Sequence, residues 1–143
     1  MQYLRTLLIG GLLAITTGCA NGLNSVQKAE LNAYESRGMA IRDKSPGAAA
    51  ALGLLPGGGS FYGREYGYGV VNLLLWPLSI LWDPVSGYDA ARAINYNVTK
   101  AHVAKLHERE LQELDDQLGS GQMDIARYTL EKRKVDSKYR AGF

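Results

Sequence analysis

The stretch LLPGGGSFYGREYGYG, residues 54–69, is the first candidate for chemistry, because consecutive glycines can wrap a phosphate. A P-loop needs GxxxxGK(S/T), with a lysine for the phosphates and a hydroxyl for magnesium. Here Gly57-Gly58-Gly59 is followed by Ser60 and Phe61, and no lysine lies between Lys44 and Lys100. A dinucleotide fingerprint must follow a strand inside a βαβ unit, and nothing before Gly57 reads as a strand. His102 and His107 are five residues apart, about 140° around a helix, so they do not share a ligand face as an i, i+4 pair would. Glu108, Glu110, Glu113, Asp115 and Asp116 form an acidic run without the glycine and spacing of an EF-hand, and read as a solvated helix face. No GxSxG or paired base is evident among the serines. Asp83 beside Pro84 reads as a turn start. The expectation is therefore a protein that is not an enzyme, with no cofactor and no metal.

Cys19 is the one cysteine, so an internal disulfide is excluded. It follows a basic start (Arg5), an apolar stretch from Leu7 to Ile15 and the small residues Thr16-Thr17-Gly18. That order is a secretory signal, too short to span a bilayer, which takes roughly 20 residues. Small residues followed by cysteine at the end of such a run resemble the lipobox of bacterial lipoproteins. The resemblance implies a diacylglycerol thioether on Cys19, cleavage of residues 1–18 before it, and acylation of the new amino group. Ala20, rather than aspartate, follows the cysteine. By resemblance to Gram-negative lipoproteins, this favours the periplasmic face of the outer membrane. Removing Arg5 leaves 15 basic and 14 acidic residues, a near-neutral chain with no field for nucleic acid.

These residues must be positioned by helices. Residues 19–45 are polar and read as a lipidated tether with one short helix, interrupted by Gly38 and Ser45-Pro46. Residues 47–55 are alanine- and leucine-rich helix formers, with Pro46 suited to the first turn. Pro56 and Gly57-Gly58-Gly59 then allow a tight reversal and close helix approach. A second apolar run, Val70 to Trp82, ends at Asp83-Pro84. As one helix, residues 67–85 would rise about 28 Å, close to a hydrocarbon core of about 30 Å, with a kink at Pro77. Tyr62, Tyr66, Tyr68, Trp76 and Trp82 are candidates for the membrane interface, where amphipathic rings gather. Pro84-Val85-Ser86-Gly87 reads as a turn.

Residues from about Tyr88 to Leu118 contain no glycine or proline and carry apolar residues at threes and fours, an amphipathic helix. Gly119-Ser120-Gly121 breaks it. A last helix from about Asp124 to Tyr139 has Asp124 as its cap. Residues 105–118 carry five acidic and two basic residues, and residues 124–143 six basic and three acidic. The two helices are expected to fold back as an antiparallel pair.

FYGREYGYGVVNLLLWPLSILWDP resembles the TM-two domain, a hairpin of two transmembrane helices in bacterial proteins, through Phe61-Tyr62-Gly63, Gly69-Val70 and Trp82-Asp83. Leu111-Gln112-Glu113-Leu114, Leu118, Gly121, Met123, Tyr128 and Lys132 to Val135 resemble a SHOCT domain, a C-terminal helical hairpin; that resemblance implies oligomer or protein contacts. The whole reads as an all-α protein. Its parts are a signal helix (1–18), a tether (19–45), a glycine-bent hydrophobic hairpin (46–87), and a long amphipathic helix with a short antiparallel one (88–143). The expected role is that of a membrane-anchored envelope lipoprotein, bound to lipid through Cys19 and the hairpin and to a protein partner or itself through 105–139. The alternative is a periplasmic module that binds lipid or another apolar ligand.

Overall fold

The computed structural model describes residues 22–141; Cys19 and the 1–18 signal lie outside the described residues. The described chain is all-α: α1 (Ser25–Ser36), α2 (Pro46–Leu52), α3 (Gly58–Tyr62), α4 (Tyr66–Leu74), a 3-10 helix (Leu78–Leu81), α5 (Asp83–Gly119) and α6 (Ile125–Tyr139). It divides into two compact units. Among the described residues, the first holds 22–24 and 44–94 and the second holds 25–43 and 95–141.

The first unit is a stack of short helices, α2 on α3, α3 on α4, and α4 on the 3-10 helix. Ser45 opens α2 by accepting a hydrogen bond from Ala48 N through its hydroxyl, with Pro46 in the first turn. Gly57 precedes α3 at φ +68°, a left-handed conformation that only glycine adopts freely. A Cβ there would also run into the Gly69 carbonyl of α4. Glycines then let backbones touch. A Cβ on Gly59 would lie 2.7 Å from Asp83 O, and one on Gly87 2.8 Å from the Gly59 Cα. Gly57 and Gly59 thus lie at close backbone approaches.

Two expectations fail in this unit. The apolar run of 67–85 is not one helix: α4 ends at Leu74, and residues 75–77 separate it from the 3-10 helix. Pro77 lacks the N–H that would continue the ladder and its ring clashes with the preceding turn. No helix among the described residues is long and apolar enough to cross a membrane. Residues 84–87 are also not a turn. They are the first turn of α5, because proline is tolerated there and Gly87 is packed against Gly59.

The second unit is built on residues 95–119 of α5 with α1 and α6. Residues 25–43 are not the tether that their polarity suggested. Leu31 and Tyr34 of α1 are buried, and Tyr34 forms a core with Val103 of α5 and Tyr139 of α6, flanked by Met39, Ala40, Leu106 and Val135. Thr99, fully buried, ties the following strand of chain to α5: its hydroxyl accepts from Ile41 N at 2.9 Å and donates to Ile41 O. α5 ends at Gly119 and the chain reverses through Gly121 at φ +73°. Asp124 caps α6, accepting from Arg127 N at 2.8 Å. Asp115 meets Tyr128 and, eight residues earlier on α5, His107 meets Asp136 eight residues later on α6, so the two helices are antiparallel.

Candidate functional site

The residues of 54–88 are arranged inside out. α4 buries Gly69 and Asn72 and exposes Val70, Val71, Leu73 and Leu74. The 3-10 helix buries Ser79 alone and exposes Leu78 and Leu81. Leu74 is 77% and Leu81 79% exposed, while Ser60, Asn72, Ser79 and Asp83 are buried. Of the large exposed hydrophobic side chains among the described residues, all but Val26, Ile125 and Leu130 belong to this segment. Scattered exposed leucines need no explanation, but so many in one segment give it an apolar exterior.

The interior is a polar clasp centred on Asp83, the first residue of α5, which is 0% exposed. α3 has Gly57 before it, so no local side chain can satisfy its first-turn N–H groups. Asp83 does so from 24 residues away. Its Oδ2 accepts from Gly59 N at 3.0 Å and its Oδ1 from Ser60 N at 3.1 Å. Oδ1 also accepts from the Ser60 hydroxyl and from Asn72 Nδ2 at 2.7 Å. Asn72 Nδ2 donates to Ser60 Oγ at 2.9 Å as well, and Asn72 Oδ1 accepts from Trp82 Nε1 at 2.9 Å. Gly58 N, the remaining early donor, goes to Leu55 O. A buried carboxylate is tolerable when every lone pair direction meets a donor, and here the helix dipole of α3 adds to the attraction. The clasp joins α3, α4 and α5 and leaves the apolar side chains outside. The fully buried Ser79 hydroxyl has no protein partner.

The residues singled out in the sequence fall in different roles. Cys19 lies outside the described residues. Pro56 and Gly57 lie in the turn before α3, and Gly58 and Gly59 are its first two residues. Tyr66, Tyr68, Trp76 and Trp82 are exposed on the apolar segment, Trp76 by 49% and Trp82 by 40%. Tyr62 is set differently: it is half-buried, its hydroxyl accepts from Ser45 N at 3.0 Å, and the Lys44 ammonium lies 4.5 Å from its ring centre. Its ring is therefore engaged inside the unit. Ser60, Asn72 and the true role of Asp83 were missed. A signal for them existed: Asn72 and Ser79 interrupt an otherwise apolar run, and a polar side chain there must find a partner or stay wet.

In the second unit, polar pairs line the seam between α5 and α6. His107 Nε2 and Asp136 Oδ1 are 2.9 Å apart, and the His107 ring rests on Tyr139 at 5.5 Å between centres. His107 is thus a seam residue. Glu110 accepts from both the Lys138 ammonium and the Tyr139 hydroxyl. Those two bonds hold its carboxyl below the usual glutamate range, with burial opposing them. Glu110 also pulls the Lys138 ammonium upward, while burial first and Glu110 second raise the Tyr139 phenol. Arg37, just after α1, donates to the carbonyl of Arg140 at 2.7 Å, closing the C-terminus of α6. Because the Glu110 carboxyl is depressed, its contribution is complete above the ordinary glutamate pKa of about 4.3 and is lost as pH falls through the lower, folded value. Urea unfolding of the second unit at neutral and acid pH should lose up to about 1 kcal/mol from this group. Glu110→Gln should remove that share of the pH dependence, and an unchanged acid response in the variant would reject the assignment.

No protein-family model, no characterised protein and no solved structure matches this chain.

Proposed function

We propose that this chain is a membrane-anchored bacterial envelope lipoprotein with a structural or protein-interaction role and no catalytic one. It is acylated at Cys19 and held on the periplasmic face of the outer membrane. The observation that supports this most is the inverted build of residues 54–88, an apolar exterior around a buried polar clasp. Water does not favour that arrangement, whereas a lipid or apolar protein environment does. The glycine-bent segment 46–87 is in this reading the part that meets lipid. The antiparallel pair of 105–139, acidic on one helix and basic on the other, is the part that meets a protein partner or a second copy.

The test is the intact mass and fractionation of the exported chain. The expected product begins at Cys19, carries acyl groups, and sediments with membranes; Cys19→Ala should lose the acyl mass. An exported chain that is unacylated and wholly soluble would overturn the reading.

A further inference from the structure

The apolar shell and Gly22, the first described residue after Cys19, belong to the same unit, and the chain from Cys19 to Gly22 is short. Gly22 packs against α5: a Cβ there would lie 2.8 Å from Asp89 Cγ. Leu23 beside it is buried. Only Ala20 and Asn21 separate Cys19 from Gly22, so the two α-carbons are within about 11 Å of one another in any conformation. Val85 lies one turn before Asp89 on the same face of α5, about 6 Å along the axis, and is 64% exposed as part of the shell. An acyl group on Cys19 therefore starts beside the apolar surface, with no spacer between them.

From this we infer that the 54–88 surface docks flat into the leaflet that holds the Cys19 acyl chains, as an interfacial element that does not cross the bilayer. The inference rests on the lipoprotein reading above. Three observations select a bilayer as the occupant. The exposed residues from Tyr66 to Leu81 include no charge. Trp76 and Trp82 stand half-exposed among leucines, and Trp82 keeps its N–H bonded to Asn72, so its ring can enter lipid without an unmet donor. α4 is nine residues long, about 14 Å, which is half of a hydrocarbon core and suits immersion of one face. The leash raises the local concentration of this surface at the leaflet to the order of millimolar, so even a weak intrinsic affinity is sufficient for docking.

Trp76 and Trp82 are the only tryptophans of the chain, and both lie on the proposed surface, so intrinsic fluorescence reads the docking directly. The acylated full chain is reconstituted in phosphatidylethanolamine–phosphatidylglycerol vesicles containing lipids brominated near the headgroup or near the chain end. The Trp76→Phe and Trp82→Phe variants resolve the two rings. Both are expected to shift to the blue and to be quenched more by the shallow bromines than by the deep ones. The doubly substituted chain Leu74→Lys, Leu81→Lys alters two largely solvent-facing positions, so it should fold, remain acylated and sediment, yet lose the quenching. Stronger quenching by deep bromines would mean a spanning arrangement and overturn the inference. So would an acylated, sedimenting chain whose tryptophans stay unquenched, whether open to water or covered by a second copy. An unacylated chain that does not sediment is instead the failure of the lipoprotein reading.

Discussion

Replacing Asp83 with alanine should lower the unfolding free energy of the first unit by about 3–5 kcal/mol, enough to unfold it in many backgrounds. The carboxylate accepts from Gly59 N, Ser60 N, the Ser60 hydroxyl and Asn72 Nδ2. Alanine leaves these donors buried and unmet, at about 1–3 kcal/mol for each group that cannot relax to another partner. Asn72 would then also hold Trp82 less firmly. Asp83→Asn keeps one acceptor oxygen but turns an amide N–H₂ toward a backbone donor, so about half the loss is expected. Both tryptophans belong to the first unit, so urea unfolding followed by their emission reports on it alone. A midpoint unchanged in Asp83→Ala would show that the clasp does not hold the unit together.

A comparable loss, about 3 kcal/mol or more, is expected for Gly57→Ala. Two effects combine. The left-handed backbone at φ +68° costs an L-residue about 1–2 kcal/mol. The added methyl also meets the Gly69 carbonyl and, at 2.9 Å, Cε2 of Phe61. The phenylalanine ring can shift, but the carbonyl belongs to α4 and can move only with its helix; overpacking of this kind costs about 1–3 kcal/mol. Gly38→Ala is the control, since Gly38 has φ +69° and open space around it. It should show the conformational part alone. If the two variants lose equal stability, as read by urea midpoints of their own units, the contact with α4 contributes nothing.

The C-terminal pair was legible in the sequence because its signals are local. Asp124 caps, Gly121 reverses, and apolar residues recur at helical spacing, so α6 begins and ends within a residue of expectation. The start of α5 was not, because Pro84 and Gly87 carry turn chemistry and only their tertiary neighbours decide otherwise. Gly87 is needed for its contact with Gly59, and Asp83 for donors on a helix 23–24 residues earlier. The same limit applied to residues 25–43. A weak apolar side of Leu31 and Tyr34 reads as one short helix in a tether until Val103 and Tyr139 are brought to it from far along the chain. In the 54–88 segment, composition marks the run as apolar but not which way its residues face. Hydropathy averages the leucines with Asn72 and Ser79, whereas the fold separates them.

The glycine contacts between α3 and the start of α5 have a thermal consequence. Where Gly59 meets Gly87 and the Asp83 carbonyl, backbone meets backbone, with no apolar side chain between them. The interior of the first unit thus holds peptide groups, a polar clasp and a few mostly small apolar side chains such as Ala49 and Ala91, while the leucines of 54–81 face outward. Unfolding such a unit newly hydrates less apolar surface than unfolding a unit built on a leucine core. Apolar exposure raises the heat capacity of unfolding and polar exposure lowers it, so the increment for this unit is small for its size. Its stability therefore changes little in slope with temperature, and cooling does not undermine it as it does a unit held by a hydrophobic core.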